Sequence, residues 1–312
     1  MKSIVRALLG LVLLGLAAGG WWLASLARPQ HHEFIERRNT TFSVTLEEAR
    51  VETGGFLSQG VTLDTASGMR IDARVLRPAV QDAPLPAVVL LGGHRTGRDA
   101  VKLVGDPGQA VIVALDYPYH APPFRSALSF FRAVGDIQNA LLDTPPAASL
   151  VLDWLASEPW ADTSRAELVG VSFGVPFVAV AGALDERFTR VWMIHGGAGN
   201  RGWIKHNLRE RIPQDWLRPL VSSLVHLLIY GNSFHTEDWA ARIAPRPVVI
   251  IGARDDARLP EHKVLNLYHA AGQPKELIWT EGGHVDPRRP DLVHALLDIV
   301  RARLSAEAVG TP

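Results

Sequence analysis

From Pro86 onward the chain alternates short apolar runs with helix-capable stretches, a pattern that few folds accommodate. The runs at 87–91, 111–115, 167–171, 191–195, 248–251 and 276–279 are largely apolar at consecutive positions rather than at every second one. A strand that is apolar on both sides must be covered on both sides, which is the condition of a parallel sheet with helices on its two faces. The intervening stretches, 147–156 and 260–271 among them, suit the crossover helices that parallel strands require. Upstream the pattern differs. Residues 42–51, 60–64 and 70–77 alternate in the manner of half-buried strands, and Thr65-Ala66-Ser67-Gly68 supplies a hairpin turn between the last two. An antiparallel opening therefore leads into a parallel sheet. There is no internal repeat and no low-complexity tract.

Ligand-handling loops of an open parallel sheet gather at the carboxyl ends of its strands. Four such loops carry chemistry. The run at 166–169 is followed by Gly170-Val171-Ser172-Phe173-Gly174 and then by a helix-capable stretch at 175–183. That is strand, sharp turn and helix, with a serine lifted clear of the sheet end and glycines where the two backbones approach closely. The run at 87–91 leads into Gly92-Gly93-His94-Arg95-Thr96-Gly97, a glycine-rich loop able to point backbone N–H groups into a site. The run at 248–251 leads into Gly252-Ala253-Arg254-Asp255-Asp256, and the run at 276–279 into Thr280-Glu281-Gly282-Gly283-His284. Serine, aspartate and histidine thus follow in chain order, each after its own strand. Their chemistry is complementary: a serine hydroxyl needs an imidazole to take its proton, and a carboxylate holds that imidazole in the useful tautomer.

With these four motifs in place, residues 60 to 305 resemble the α/β-hydrolase fold family. The resemblance implies a mostly parallel central sheet with antiparallel N-terminal strands, helices on both faces and a cap insertion at about 196–244. The opening strands and the 136–160 crossover look closest to its dienelactone-hydrolase and prolyl-oligopeptidase side. It implies Ser172 as nucleophile, His284 as general base and acid, and an aspartate on the penultimate strand loop. Family spacing from the preceding glycine selects Asp255, and spacing to the helix-starting Pro260 selects Asp256; Pro260 fixes the geometry on its side, which favours Asp256. By family position the oxyanion donors are the N–H of Phe173 and the His94-Arg95 stretch. Neither a metal nor an organic cofactor is implied. The expected reaction is hydrolysis of a small-molecule carboxylic ester through an acyl-enzyme. Peptide or amide cleavage, or acyl transfer, remains open on the same triad, and an inactive membrane-tethered binding protein is the reading from another class.

Other residues carry less. His195 ends a strand and reads as structural rather than pocket-facing; His120 follows Asp116-Tyr117-Pro118-Tyr119 and is a candidate for the pocket lining; adjacent His31 and His32 make no closed metal site. Trp203, Trp216, Leu217 and Leu220 are expected to pack the cap onto the sheet or to line an acyl or alcohol pocket.

The N-terminus sets the compartment. Lys2 and Arg6 precede 21 residues, Ala7 to Ala27, without a charged side chain. As a helix this stretch is about 30 Å long, enough to span a hydrocarbon core. Trp21 and Trp22 suit an interface near its far end. A signal-anchor at 1–27, followed by a linker at 28–41 and a hydrolase domain at 42–308, is expected. Ser25-Leu26-Ala27 also offers a cleavage site. Both readings put the domain outside the cytoplasm, either membrane-anchored or exported. The absence of cysteine removes disulfides and a thiol nucleophile, and equal totals of 32 acidic and 32 basic residues argue against a nucleic-acid partner. The sequence does not specify an oligomeric state.

Overall fold

A computed structural model of the chain describes residues 2–38, 40–93, 96–123 and 126–309. The strands are β1 (Phe42–Leu46), β2 (Arg50–Glu52), β3 (Phe56–Thr65), β4 (Arg70–Pro78), β5 (Leu85–Leu91), β6 (Val111–Leu115), β7 (Ala161–Val171), β8 (Phe188–Ile194), β9 (Val248–Ala253) and β10 (Lys275–Thr280). They form one sheet in the order β1-β3-β4-β6-β5-β7-β8-β9-β10, with β2 beside β3. Pairing is antiparallel from β1 through the β4–β6 contact, and parallel from β6 to β10. All six apolar runs are strands of the parallel part, and the 65–68 turn closes the β3–β4 hairpin through the Thr65 N–H bond to the Met69 carbonyl.

The helices are α1 (Lys2–Leu26), α2 (His31–Glu36), α3 (Ala100–Val104), α4 (Ala127–Leu155), α5 (Val175–Leu184), α6 (Asn200–Asn207), α7 (Arg218–Leu228), α8 (Thr236–Ala240), α9 (Glu261–Ala270) and α10 (Pro290–Val309). Because side chains alternate across a strand, one face of the sheet presents Ala87, Val89, Leu91, Val111, Val113 and Leu168, buried under α4, α5, α8 and α9. The other presents Val88, Leu90, Ile112 and Val169, covered by α3 and α10.

Helix α4 is longer than the expected stretch beginning at Ala147, because it runs through Pro145 and Pro146. Two prolines cost two backbone donors. Residues 144–152 are buried throughout, so packing against the sheet holds the helix together across them.

The segment read as a linker also carries structure. Within it α2 buries Phe34 against Phe234 and Trp239, at ring separations of 5.3 and 5.9 Å, and Arg37 pairs with Asp143 at 2.9 Å. His31 lies edge-on to Trp239 at 4.7 Å.

Among the described residues no helix is long and apolar enough to cross a membrane. The side chains at 2–5, 7, 8 and 11 of α1 lie outside that description. Those that are described, Leu13, Leu14, Leu16 and Trp21 among them, are largely exposed.

Candidate active site

Ser172 follows β7 at the first position of a single 3₁₀ turn, Ser172–Gly174, that runs into α5. Its φ of 54° is in the left-handed region, a strained conformation for a residue with a Cβ. The flanking glycines make the turn possible. A Cβ on Gly170 would stand 2.3 Å from Val178 Cγ2, and one on Gly174 would stand 2.2 Å from the Leu91 carbonyl oxygen. Strand, turn and helix therefore close on each other only with hydrogen at both positions.

The turn aims the hydroxyl at the loop after β10. Ser172 Oγ lies 2.7 Å from His284 Nε2, and His284 Nδ1 lies 2.6 Å from Asp256 Oδ2. The second carboxylate oxygen, Oδ1, accepts the backbone N–H groups of Arg258 at 2.8 Å and Leu259 at 2.9 Å. Burial alone would raise the Asp256 carboxyl; the bond to His284, its charge and the two backbone N–H donors outweigh burial and hold it below the ordinary carboxylate value. The acid stays ionised and acceptor-only, so Nδ1 carries the proton and Nε2 presents its lone pair to the serine hydroxyl.

Of the two candidate acids the structure brings Asp256 to His284. Asp255 is exposed, and its backbone N–H is spent on the Gly282 carbonyl at 3.0 Å. That bond ties the β9 and β10 loops together.

Phe173 lies directly after Ser172, at the N-terminal end of the turn into α5, where backbone N–H groups favour negative charge. Its ring stacks edge-on with Tyr117 at 5.1 Å and Phe177 at 5.2 Å. His94 and Arg95 lie outside the described residues. The glycines before them line the site; the Tyr117 hydroxyl donates to the Gly92 carbonyl at 2.5 Å, and Thr96 donates to that of Gly93. Burial pushes the Tyr117 phenol well above its ordinary value, so it remains a donor.

His195 has a role that its strand-end position only hinted at. It is 2% exposed, with φ at 53° and its ring 5.6 Å from that of His284. Its Nδ1 accepts the Val285 N–H at 2.9 Å, which pins the residue after His284. Burial first, and the neighbouring His284 second, depress its pKa to about 4, so it stays neutral beside His284. His195, Asp256 and His284 hold ligand-type atoms within 4.8 Å of one another. As a metal set they are poor, since the hydrogen bonds just described already engage His195 Nδ1, His284 Nδ1 and both oxygens of Asp256.

A cleft of about 770 Å³ opens at Ser172 and His284, with Trp203, Asn207, Arg211 and Arg258 among its lining residues. Trp203 lines it as one of the two expectations had it. Trp216 and Leu220 neither line it nor pack onto the sheet; they are 72% and 63% exposed, and α7, which carries Leu220, buries Ser222, His226 and Leu228 instead. His120 is also outside the cleft, exposed and bonded through Nε2 to the Arg70 carbonyl at 3.1 Å.

No protein-family model and no curated protein matches the sequence. Solved structures match the fold. An acetyl xylan esterase from Thermoanaerobacterium superposes with a TM-score of 0.61 at 16% identity, covering 86% of this chain and 93% of its own. One from Paenibacillus gives 0.59 at 18% identity, over 86% and 92%. A glucuronoyl esterase from Solibacter usitatus gives 0.53 at 14% identity, over 85% and 91%. The chain has the α/β-hydrolase fold. At these identities the likeness speaks for the fold and not for a substrate.

Proposed function

We propose that the protein is a serine hydrolase that cleaves a carboxylic ester through an acyl-enzyme. The observation that carries this is the continuous chain from Ser172 Oγ through His284 to Asp256, with the serine on a strained turn. Ser172 Oγ attacks the ester carbonyl carbon while its proton passes to His284 Nε2. Collapse of the tetrahedral intermediate breaks the acyl–oxygen bond, and the leaving alkoxide takes that proton. Water then attacks the acyl group, gives a proton to His284, and the carboxylic acid departs as Ser172 regains its hydrogen. Asp256 orients His284 and stabilises the imidazolium, and the Phe173 N–H with the 92–95 loop would hold the oxyanion, where one donor is worth about 3 to 4 kcal/mol. Several structures that share the fold are named as esterases, which favours an ester over an amide.

The test is labelling by a fluorophosphonate beside turnover of p-nitrophenyl esters and aminoacyl amides. Labelling lost in Ser172→Ala, with esters cut faster than amides, is expected. Faster amide cleavage would move the activity to a peptidase or amidase, transfer to an added alcohol in preference to water would make it an acyltransferase, and absence of labelling in folded protein would leave a binding protein.

The reading keeps an extracytoplasmic site, which the uncharged stretch at 7–27 favours, although no helix among the described residues is long and apolar enough to cross a membrane. Carbonate extraction of membranes bearing the full chain should leave it in the pellet. Release of a shortened chain would mark a cleaved, exported form.

A further inference from the structure

The cleft does not stop at the catalytic edge of the sheet. It continues down the α3/α10 face as a channel whose floor is Val169, Leu90, Val88 and Ile112. Leu90 pairs in register with Val169 and Val88 with Glu167, so Val88 lies level with a residue five before Ser172. At the rise of a strand that is roughly 16 Å of floor.

The roof has the same length. Helix α10 lines the channel from Val293 to Leu304, a span of about 16 Å at the rise of an α-helix. Its direction is fixed at the far end, where Arg303 Nε pairs with Glu276 at the start of β10 at 3.0 Å. The helix therefore runs from the catalytic edge toward the opposite edge, and α3 covers the other side with Leu103 and Val104.

The far end is bridged by a side chain. The Arg301 guanidinium donates to the Val104 carbonyl at 3.1 Å and also to that of Asp106, joining α10 to the chain after α3. Along the floor the one acid at that level, Glu167, is turned away onto Trp192 Nε1 at 2.5 Å and Arg190 at 3.1 Å. What remains is a space with an apolar floor, Arg301 at its far end and Ser172 at its mouth.

We propose that this channel holds the acyl chain of the substrate, a straight medium-to-long alkanoyl group, with its carbonyl at Ser172. The proposal rests on the hydrolase reading above. The chemistry assigns the chain to the acyl side and not to the alcohol. A group lodged along the floor, away from the mouth, blocks nothing there while it stays esterified to Ser172, so the alcohol can depart and water can enter at the mouth. A chain on the alcohol side would have to back out past the acyl-enzyme before water could reach it. A short acyl group such as acetyl would leave the channel unused.

The experiment is kcat/KM for p-nitrophenyl butanoate, octanoate, dodecanoate and hexadecanoate, below their micelle concentrations, with the full chain in parallel with a fluorophosphonate label. Each added methylene should raise kcat/KM about two- to fourfold until the channel is full, the upper figure being complete burial and the lower allowing for ordering of the chain. Val300→Trp on α10 and Leu103→Trp on α3 each place an indole in the channel from opposite sides. Either should lower the dodecanoate-to-butanoate ratio by about tenfold or more, and two sites guard against one variant failing to fold. A profile that is flat or falls beyond butanoate, or ratios unmoved by both tryptophans in folded protein, overturns the channel while short-ester turnover leaves the hydrolase reading intact. Absence of labelling and of turnover for every ester overturns the hydrolase reading and the channel with it.

Discussion

The two faces of the central sheet are built from the same strands and differ in what covers them. On one, α4, α5, α8 and α9 press onto alternate residues such as Val89, Leu91 and Leu168, all 0% exposed, and Trp154 and Phe188 fill the remaining space. On the other, α3 has only five residues, and it shares with α10 the covering of Val88, Leu90, Ile112 and Val169. The named residues of the first face are fully buried; the second borders the channel. An unfilled apolar space forgoes packing energy, so its retention beside a poised serine is what a binding site would require. The residues proposed to react sit on the edge common to both faces, where α5 follows Ser172 and the open side would receive the substrate.

The largest effects belong to that shared edge. Ser172→Ala or His284→Ala should lower kcat for ester hydrolysis by about 10⁶, and Asp256→Asn by about 10⁴, as for other triads. The exposed Asp255→Asn should change it by less than about twofold. Equal losses at Asp255 and Asp256 would remove the distinction between an acid bonded to His284 and its solvated neighbour.

Next comes a direct contrast of the faces. Leu152→Ala, in α4 and 0% exposed, should cost about 2 to 5 kcal/mol in denaturant unfolding. Leu297→Ala, half-buried beside existing free space, should cost about 1 kcal/mol or less. Similar costs would mean that the α10 face is as tightly packed as the α4 face.

A third effect is read in pH. His195 has a pKa of about 4 in the folded protein against an ordinary 6.5, so between those values the unfolded chain binds more protons. Its contribution is complete above about pH 6.5 and is lost as the pH falls toward 4, a change of about 3 kcal/mol from this residue. His195→Phe should flatten that part of the stability profile; an unchanged slope would place the acid sensitivity elsewhere. Smallest is the pair of glycines at the turn. Gly174→Ala drives a Cβ at a carbonyl oxygen and Gly170→Ala at a movable valine methyl, so the first should cost more, by about 1 to 3 kcal/mol.

Much of this was legible beforehand. The consecutive apolar positions at 111–115 or 248–251 read directly as buried parallel strands, and Ser172, Asp255 or Asp256, and His284 stood out because each follows one; only the distances join Asp256 to His284. What escaped depends on distances between elements. The sequence offered a helix only over 147–156, yet burial carries α4 through Pro145 and Pro146. Phe34 lay among polar residues, and only the aromatic pair at 234 and 239, distant in sequence, explains its burial. His195 offered a strand-end histidine, but its bond to Val285 joins β8 to the loop after β10. The channel left no mark in the pattern, because Val88 and Leu90 look like any buried strand residues; its volume comes from how far α3 and α10 stand from them.

The central claim, that Ser172 carries the acyl group, is tested most directly by rapid-quench mass spectrometry of the full chain mixed with p-nitrophenyl dodecanoate. One dodecanoyl group in place of one hydrogen on the peptide containing Ser172, missing in Ser172→Ala, is the expected result. Steady turnover with Ser172 never acylated, or an acyl group on another residue, would contradict it.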